Sequence, residues 1–232
     1  MGEIPRTDPD DRLAGIALFA EIGPAVRQAL ASGSVWRTYR SHQEIIGKES
    51  SSRDVYFVVA GRVRVVNWSY AGREVSFEDI PAGGSFGELA AIDGAPRSAT
   101  VIALEETPVA RIAPEVFMQA VLNHPPTARR LMERLAAVIR RSTERIFDLS
   151  VHGATIRIYA DLLARAEAGR RPDNSAIVSP IPIHADIAAR VSTTRETVAR
   201  VMGDLSRRSL VVREKDALIV RDLDRLAELV AE

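Results

Sequence analysis

The sequence predicts an α+β protein, on three observations. Residues 35–112 are rich in Val, Tyr, Phe and Ile and are punctuated by glycine turns. A long run of strong helix formers follows, and after it come two short helices and a strand pair. A length of 232 residues allows two modest domains, each able to bury a core. With 46% hydrophobic and 27% charged residues, the composition is that of an ordinary soluble globular chain, neither disordered nor fibrous.

Residues 12–30, RLAGIALFAEIGPAVRQAL, are expected to form short helical pieces broken near Gly23 and Pro24. From about Val35 the pattern becomes that of strands. In DVYFVVAGRVRVVNWSYAGREVSFEDI the β-branched and aromatic residues are interrupted at Gly61 and at the Ala71-Gly72 turn, which marks successive antiparallel hairpins. A short helix is expected after Pro114 to about Leu122, with Asn123-His124-Pro125-Pro126 as a break. The longest helix should then run from Thr127 to about Leu149.

That helix carries an a/d rhythm. Met132, Leu135, Ile139, Ser142, Ile146 and Leu149 alternate spacings of three and four, so a partner helix is expected. A hydroxyl at the centre of an apolar seam costs burial unless it bonds to something, which singles out Ser142 and its neighbour Thr143. A hinge is expected at Val151 to Ala154, around Gly153.

Beyond it, TIRIYADLLARAEAG reads as an amphipathic helix ending at Gly169, and RRPDNS as a polar loop. IHADIAARVSTTRETVARVMGDLSRRSLVV then has helix-turn-helix spacing, with the turn near Ser192-Thr193. Thr194 can cap the second helix, and Arg195, Glu196 and Arg200 fall where such a helix presents side chains to base edges. LVVREKDALIV, turning near Lys215-Asp216, reads as a β-wing. Between His184 and Arg213 the arginines 190, 195, 200, 207, 208 and 213 outnumber the acids 186, 196 and 204. This stretch is basic inside a chain whose 31 basic and 31 acidic residues cancel, so any DNA contact must be local.

Several function classes drop out. Cysteine is absent, which removes disulfides, thiolate catalysis and cysteine-held metal or iron–sulfur sites. The four histidines, 42, 124, 152 and 184, lack metal-ligand spacing. No metal cluster or general base beside a nucleophile is visible, so no enzyme is expected. No apolar run approaches a membrane span, and the start, MGEIPRTDPDDRL, is polar and acidic, so no membrane partner and a cytoplasmic location are expected.

One stretch remains, GSFGELAAIDGAPRSATV, residues 84–101. It sets an acid, an arginine and hydroxyls beside glycines, where backbone can approach a ligand closely and a guanidinium can clamp an anion. A phosphate ligand is the expectation.

Together, FGELAAIDGAPRSATV in a β-rich half, the long helix, and TTRETVARV in the terminal helix-turn-helix resemble the cyclic-AMP receptor protein and fumarate-nitrate regulator (CRP/FNR) family of bacterial transcription factors, over nearly the whole chain. The resemblance implies an N-terminal cyclic-nucleotide-binding β-roll over residues 1–125. It further implies a dimerisation helix and hinge over 126–152, and a C-terminal winged helix-turn-helix over 153–232. It implies that backbone at Gly87 and Leu89, the Glu88 carboxylate on a ribose hydroxyl, and Arg97 with Ser98 on the phosphate form a ligand cassette. Ser142 and Thr143 would then touch the base, one hydroxyl from each subunit. Thr194, Arg195, Glu196, Arg200 and His184 would contact DNA.

The implied ligand is cyclic AMP, acting allosterically, with cyclic GMP as the alternative, or a β-roll that senses another signal or no small molecule. The implied partners are double-stranded palindromic DNA with TGTGA-like half-sites, a second copy of the chain, and RNA polymerase. The sequence departs from the family at two turns. Ser192 stands where many members have glycine, and an early β-roll glycine is replaced within GKESSS. The iron–sulfur branch is excluded by the missing cysteine, and His42 and His124 are poorly placed for a haem-sensing branch.

Overall fold

The computed structural model describes residues 11–231, so the polar segment 1–10 lies outside the described residues. The chain divides into two compact units, one up to Ile139 and one from Arg140 onward.

In the first unit a 3₁₀ turn at Ala17–Phe19 precedes helix α1, Pro24–Ser32, which begins at the expected Gly23-Pro24 break with proline in its first turn. Eight strands follow: β1 Val35–Tyr39, β2 Glu44–Ile46, β3 Val55–Val58, β4 Arg62–Trp68, β5 Glu74–Pro81, β6 Ser85–Phe86, β7 Thr100–Ala103 and β8 Thr107–Ile112. They form two four-stranded sheets of order β1-β8-β3-β6 and β2-β7-β4-β5, antiparallel throughout, as the hairpin turns between Val-, Tyr-, Phe- and Ile-rich runs predicted. Helix α2, Glu88–Asp93, lies between β6 and β7, and α3, Pro114–Asn123, follows β8.

Strand β3 shows why the unit holds together. Its four residues, VYFV, are all buried, because alternate side chains serve different cores. Val55 and Phe57 join Leu13, Phe19, Ile112, Phe117 and Leu131 under the helices, whereas Tyr56 and Val58 join Tyr39, Ile46, Val63, Phe86 and Val101 between the sheets. Each such apolar side chain contributes on the order of 1.5–3 kcal/mol of transfer free energy.

The expected break at residues 123–126 is a single residue. His124 alone separates α3 from α4, which runs Pro125–Val151. Pro125 and Pro126 occupy its first turn, where the missing N–H groups would have no intrahelical partner anyway.

The second unit holds α5 Ala154–Glu167, β9 Ala176–Val178, α6 His184–Arg190, α7 Arg195–Arg207, β10 Val211–Arg213, β11 Leu218–Val220 and α8 Leu223–Ala231. The β10–β11 wing is the predicted one. Two elements were not anticipated. Strand β9 pairs with β11 to make a three-stranded sheet, and α8 buries Leu223, Leu226 and Leu229 in the domain core. Gly169 explains how the chain returns from α5. A Cβ there would stand 2.0 Å from the Ile177 carbonyl oxygen, so only glycine lets β9 pack this closely.

Both turns at which the sequence departs from the family's glycine keep a left-handed backbone without it. Glu49 has φ 64° and Ser192 has φ 54°. Side chains tolerate this region at a cost of roughly 1–2 kcal/mol, and local bonds compensate. Glu49 N–H donates to the Arg97 carbonyl at 2.9 Å, and the Ser192 hydroxyl accepts from Arg145 at 3.0 Å.

Candidate functional site

The β6–α2 junction brings Gly87, Glu88 and Arg97 together. Gly87 adopts φ 87°, left-handed, and a Cβ there would lie 2.7 Å from Nη1 of Arg97 and 3.0 Å from the Asp54 carbonyl oxygen, so the position takes only glycine. The turn directs the Gly87 carbonyl at Arg97, whose Nη1 donates to it at 2.7 Å. Nη2 of Arg97 donates to the Asp54 carbonyl at 2.6 Å, and Nε and Nη2 both reach the Ser52 hydroxyl, at 3.3 and 3.2 Å.

Arg97 is only 4% exposed, yet no carboxylate among the described residues lies within ion-pair distance of it. Burial lowers its pKa, while the fields of Tyr56, Asp54 and Glu88 act the other way. A guanidinium stays charged in any protein. The site is therefore a buried cation bonded to neutral oxygens, which an anion would neutralise.

Glu88, 7% exposed, opens α2 beside it. Its nearest cation is Arg134 of α4, with Nε 3.9 Å from the carboxylate. Arg134 Nε is buried and has no hydrogen-bond acceptor among the described residues. Leu89 is 45% exposed on α2, and Ser98 is exposed, its carbonyl accepting from Asn67. Ser142 and Thr143 belong to the other unit and are exposed on α4. The seam stays partly open within the chain: Met132, Ile139 and Ile146 are each more than 60% exposed, whereas Leu135 packs against the core under the first unit's helices.

Sequence reading missed Ser52, Asp54 and Arg134. The GKESSS loop runs alongside the cassette, with Arg97 N–H on the Ser50 carbonyl and Lys48 N–H on the Thr100 hydroxyl. These partners lie more than forty positions from Arg97 or Thr100 along the chain, and no local pattern announces them.

In the second unit Thr194 caps α7, its hydroxyl accepting from Thr197 N–H at 3.2 Å. The helix buries Val198, Val201, Met202 and Leu205, which turns Arg195, Glu196 and Arg200 outward. The Glu196 carboxyl is held below its usual pKa, first by its own backbone N–H and then by the Thr194 hydroxyl. His184 opens α6 and is half-buried. The fold distributes the arginines of this stretch unevenly. Arg190 is turned onto Asp161 at 2.8 Å, and Arg207 and Arg208 onto Asp204 at 3.3 and 3.8 Å, so the outward charge of α7 rests chiefly on Arg195 and Arg200.

Among the described residues no helix is long and apolar enough to cross a membrane, and no group of three or more His, Asp or Glu could hold a metal ion.

Residues 36–124 match the family of cyclic nucleotide-binding domains, and residues 157–229 match the Crp-like helix-turn-helix domain. The chain is 27% identical to the cyclic AMP receptor protein of Thermus thermophilus, over 94% of this chain and 98% of that one. It is 22% identical, with the same coverage, to the CRP-like cAMP-activated global transcriptional regulator of Mycobacterium tuberculosis. In fold it is similar to a CooA mutant from Carboxydothermus hydrogenoformans, with a TM-score of 0.74 over 87% of this chain and 90% of that chain at 20% identity.

Proposed function

We propose, from the premise that the chain belongs to the CRP/FNR family of transcription factors, a family of DNA-binding regulators and not of enzymes, that it is a homodimer switched by cyclic AMP. The observation that carries the ligand class is Arg97, a buried guanidinium without a carboxylate at ion-pair distance among the described residues. A cyclic phosphodiester brings one negative charge for it and one ribose hydroxyl for Glu88. Gly87, Leu89 and Ser98 complete the cassette. Cyclic AMP is favoured over cyclic GMP because relatives that match nearly end to end are named for cyclic AMP.

The exposed part of the seam on α4 supports pairing with a second copy, and Ser142 on that seam, with its neighbour Thr143, is proposed to meet the base. In the reader, Arg195 and Arg200 would take guanine edges and Glu196 a cytosine amino group, with Thr194 and His184 at the backbone. TGTGA-like half-sites are what the resemblance to family members with the same RETV stretch implies, and RNA polymerase is the further partner. Ligand binding would shift an equilibrium between DNA-competent and incompetent states by no more than its differential affinity for them.

Titration calorimetry of the whole protein against cyclic AMP and cyclic GMP tests the sensor. Tighter binding of cyclic AMP is expected. Tighter cyclic GMP would reassign the ligand, and binding of neither would overturn the sensor reading while leaving DNA recognition to be measured separately by fluorescence anisotropy.

A further inference from the structure

The second unit contains a cavity of about 270 Å³ that neither the nucleotide cassette nor the DNA-reading face uses. Its charged wall consists of Arg145, Arg157 and Arg190 with Asp148 and Asp161, and Leu149, Ile156, Ala160, Val191 and Val230 form an apolar floor.

Of the two carboxylates, Asp161 is committed, holding Arg190 at 2.8 Å and Arg165 at 3.0 Å. Asp148 lies 3.4 Å from His152 Nδ1, a contact that balances its charge only when the imidazole is protonated. Arg157, by contrast, bonds only neutral oxygens. Its Nε donates to the Val191 carbonyl at 3.0 Å and its Nη1 to the His152 carbonyl, and it has no carboxylate within ion-pair distance among the described residues. Arg145 shares the cavity, and its pKa is lowered first by burial and then by the charge of Arg157. Two guanidiniums thus face one hollow, and burial weakens the solvent screening that would otherwise separate their charges.

We infer that this cavity is a second ligand site, for a compact organic anion with an apolar body and one carboxylate or phosphate group. The anion would lie between Arg145 and Arg157, and its body would cover Ile156, Ala160 and Val230. The volume sets the size, because ligand pockets commonly begin near 300 Å³, so the occupant is a small acid. The place is consequential. Arg145 donates to the Ser192 hydroxyl and Arg157 to the Val191 carbonyl, so both arginines hold the turn that leads into α7.

The test is ligand-observed fluorine NMR of the full chain with 4-fluorobenzoate, 4-fluorophenyl phosphate and, as an uncharged control, 4-fluorobenzyl alcohol, each with and without cyclic AMP. Saturable binding of at least one of the two anions below about 10 mM is expected, unaffected by cyclic AMP and absent for the alcohol. Which anion binds identifies the headgroup. Arg157→Gln should weaken it about ten-fold or more. Because Arg157 also bonds two carbonyls, Ala160→Leu provides a second variant that fills the cavity and leaves every arginine in place; it should abolish binding. The site is refuted if neither anion saturates, if the alcohol binds equally well, if cyclic AMP displaces the anion, or if Ala160→Leu binds it as wild type does.

Discussion

Nε of Arg134 lies 3.9 Å from the Glu88 carboxylate while its Nη2 lies 3.7 Å from Glu78, so a cation from α4 stands between two acids carried by α2 and β5. Glu88 is largely buried, and removing its cation leaves a desolvated charge uncompensated. Arg134→Met should cost about 1 kcal/mol of stability at neutral pH, read from the urea midpoint. In a Glu88→Gln background the loss should shrink, giving a coupling of roughly 0.5–1 kcal/mol in a double-mutant cycle. Additive losses would show that the two groups do not interact.

Arg97 carries two roles, and its variants should separate them. Arg97→Leu removes the proposed counter-charge of the phosphate and should weaken cyclic AMP by on the order of 3 kcal/mol. It also strips a donor from the carbonyls of Gly87 and Asp54, so stability should fall by about 1–3 kcal/mol. Arg97→Lys keeps the charge without the fork and should fall between the two. Calorimetry and urea unfolding measure the two effects. Wild-type affinity in Arg97→Leu would refute the cassette.

Arg195 stands exposed in the first turn of α7. Arg195→Ala should cost roughly 1–3 kcal/mol on a palindrome with TGTGA half-sites and relax discrimination at one base pair. Anisotropy with single-base variants of the site distinguishes this from an equal loss on every sequence, which would make Arg195 a phosphate contact.

Ser142 lies at the centre of the open α4 seam. Ser142→Leu makes that seam continuous, favouring helix pairing without nucleotide, and deletes a proposed contact to the base. The variant should bind DNA more readily without ligand and respond less when cyclic AMP is added. A response as large as that of wild type would show that the signal bypasses this seam.

Gly169→Ala tests the packing of the DNA-reading unit. The new methyl would meet the Ile177 carbonyl at 2.0 Å, against backbone that cannot rotate away. Loss of on the order of 2–4 kcal/mol is expected, seen as a lower melting temperature. An unchanged melt would mean that β9 is free to shift.

Local pattern alone determined much of this protein. Runs of β-branched and aromatic residues cut by glycine turns marked the antiparallel strands, the a/d rhythm marked α4, and Thr194 before an apolar helical stripe marked where α7 begins, because each signal lies within a few residues of the element it specifies. The Gly-Glu pair and Arg97 were legible for the same reason, falling within one short stretch. Strand β9 was not, since AIV is too short to carry a period and becomes a strand only by pairing with β11, some forty residues on. Nor could the sequence tell that Arg97 would be buried against the carbonyl of Asp54, that Arg134 would reach Glu88, or that Arg190 would be spent on Asp161. Composition counts charges, but only tertiary packing decides which of them are neutralised inside the fold and which remain for a ligand or for DNA.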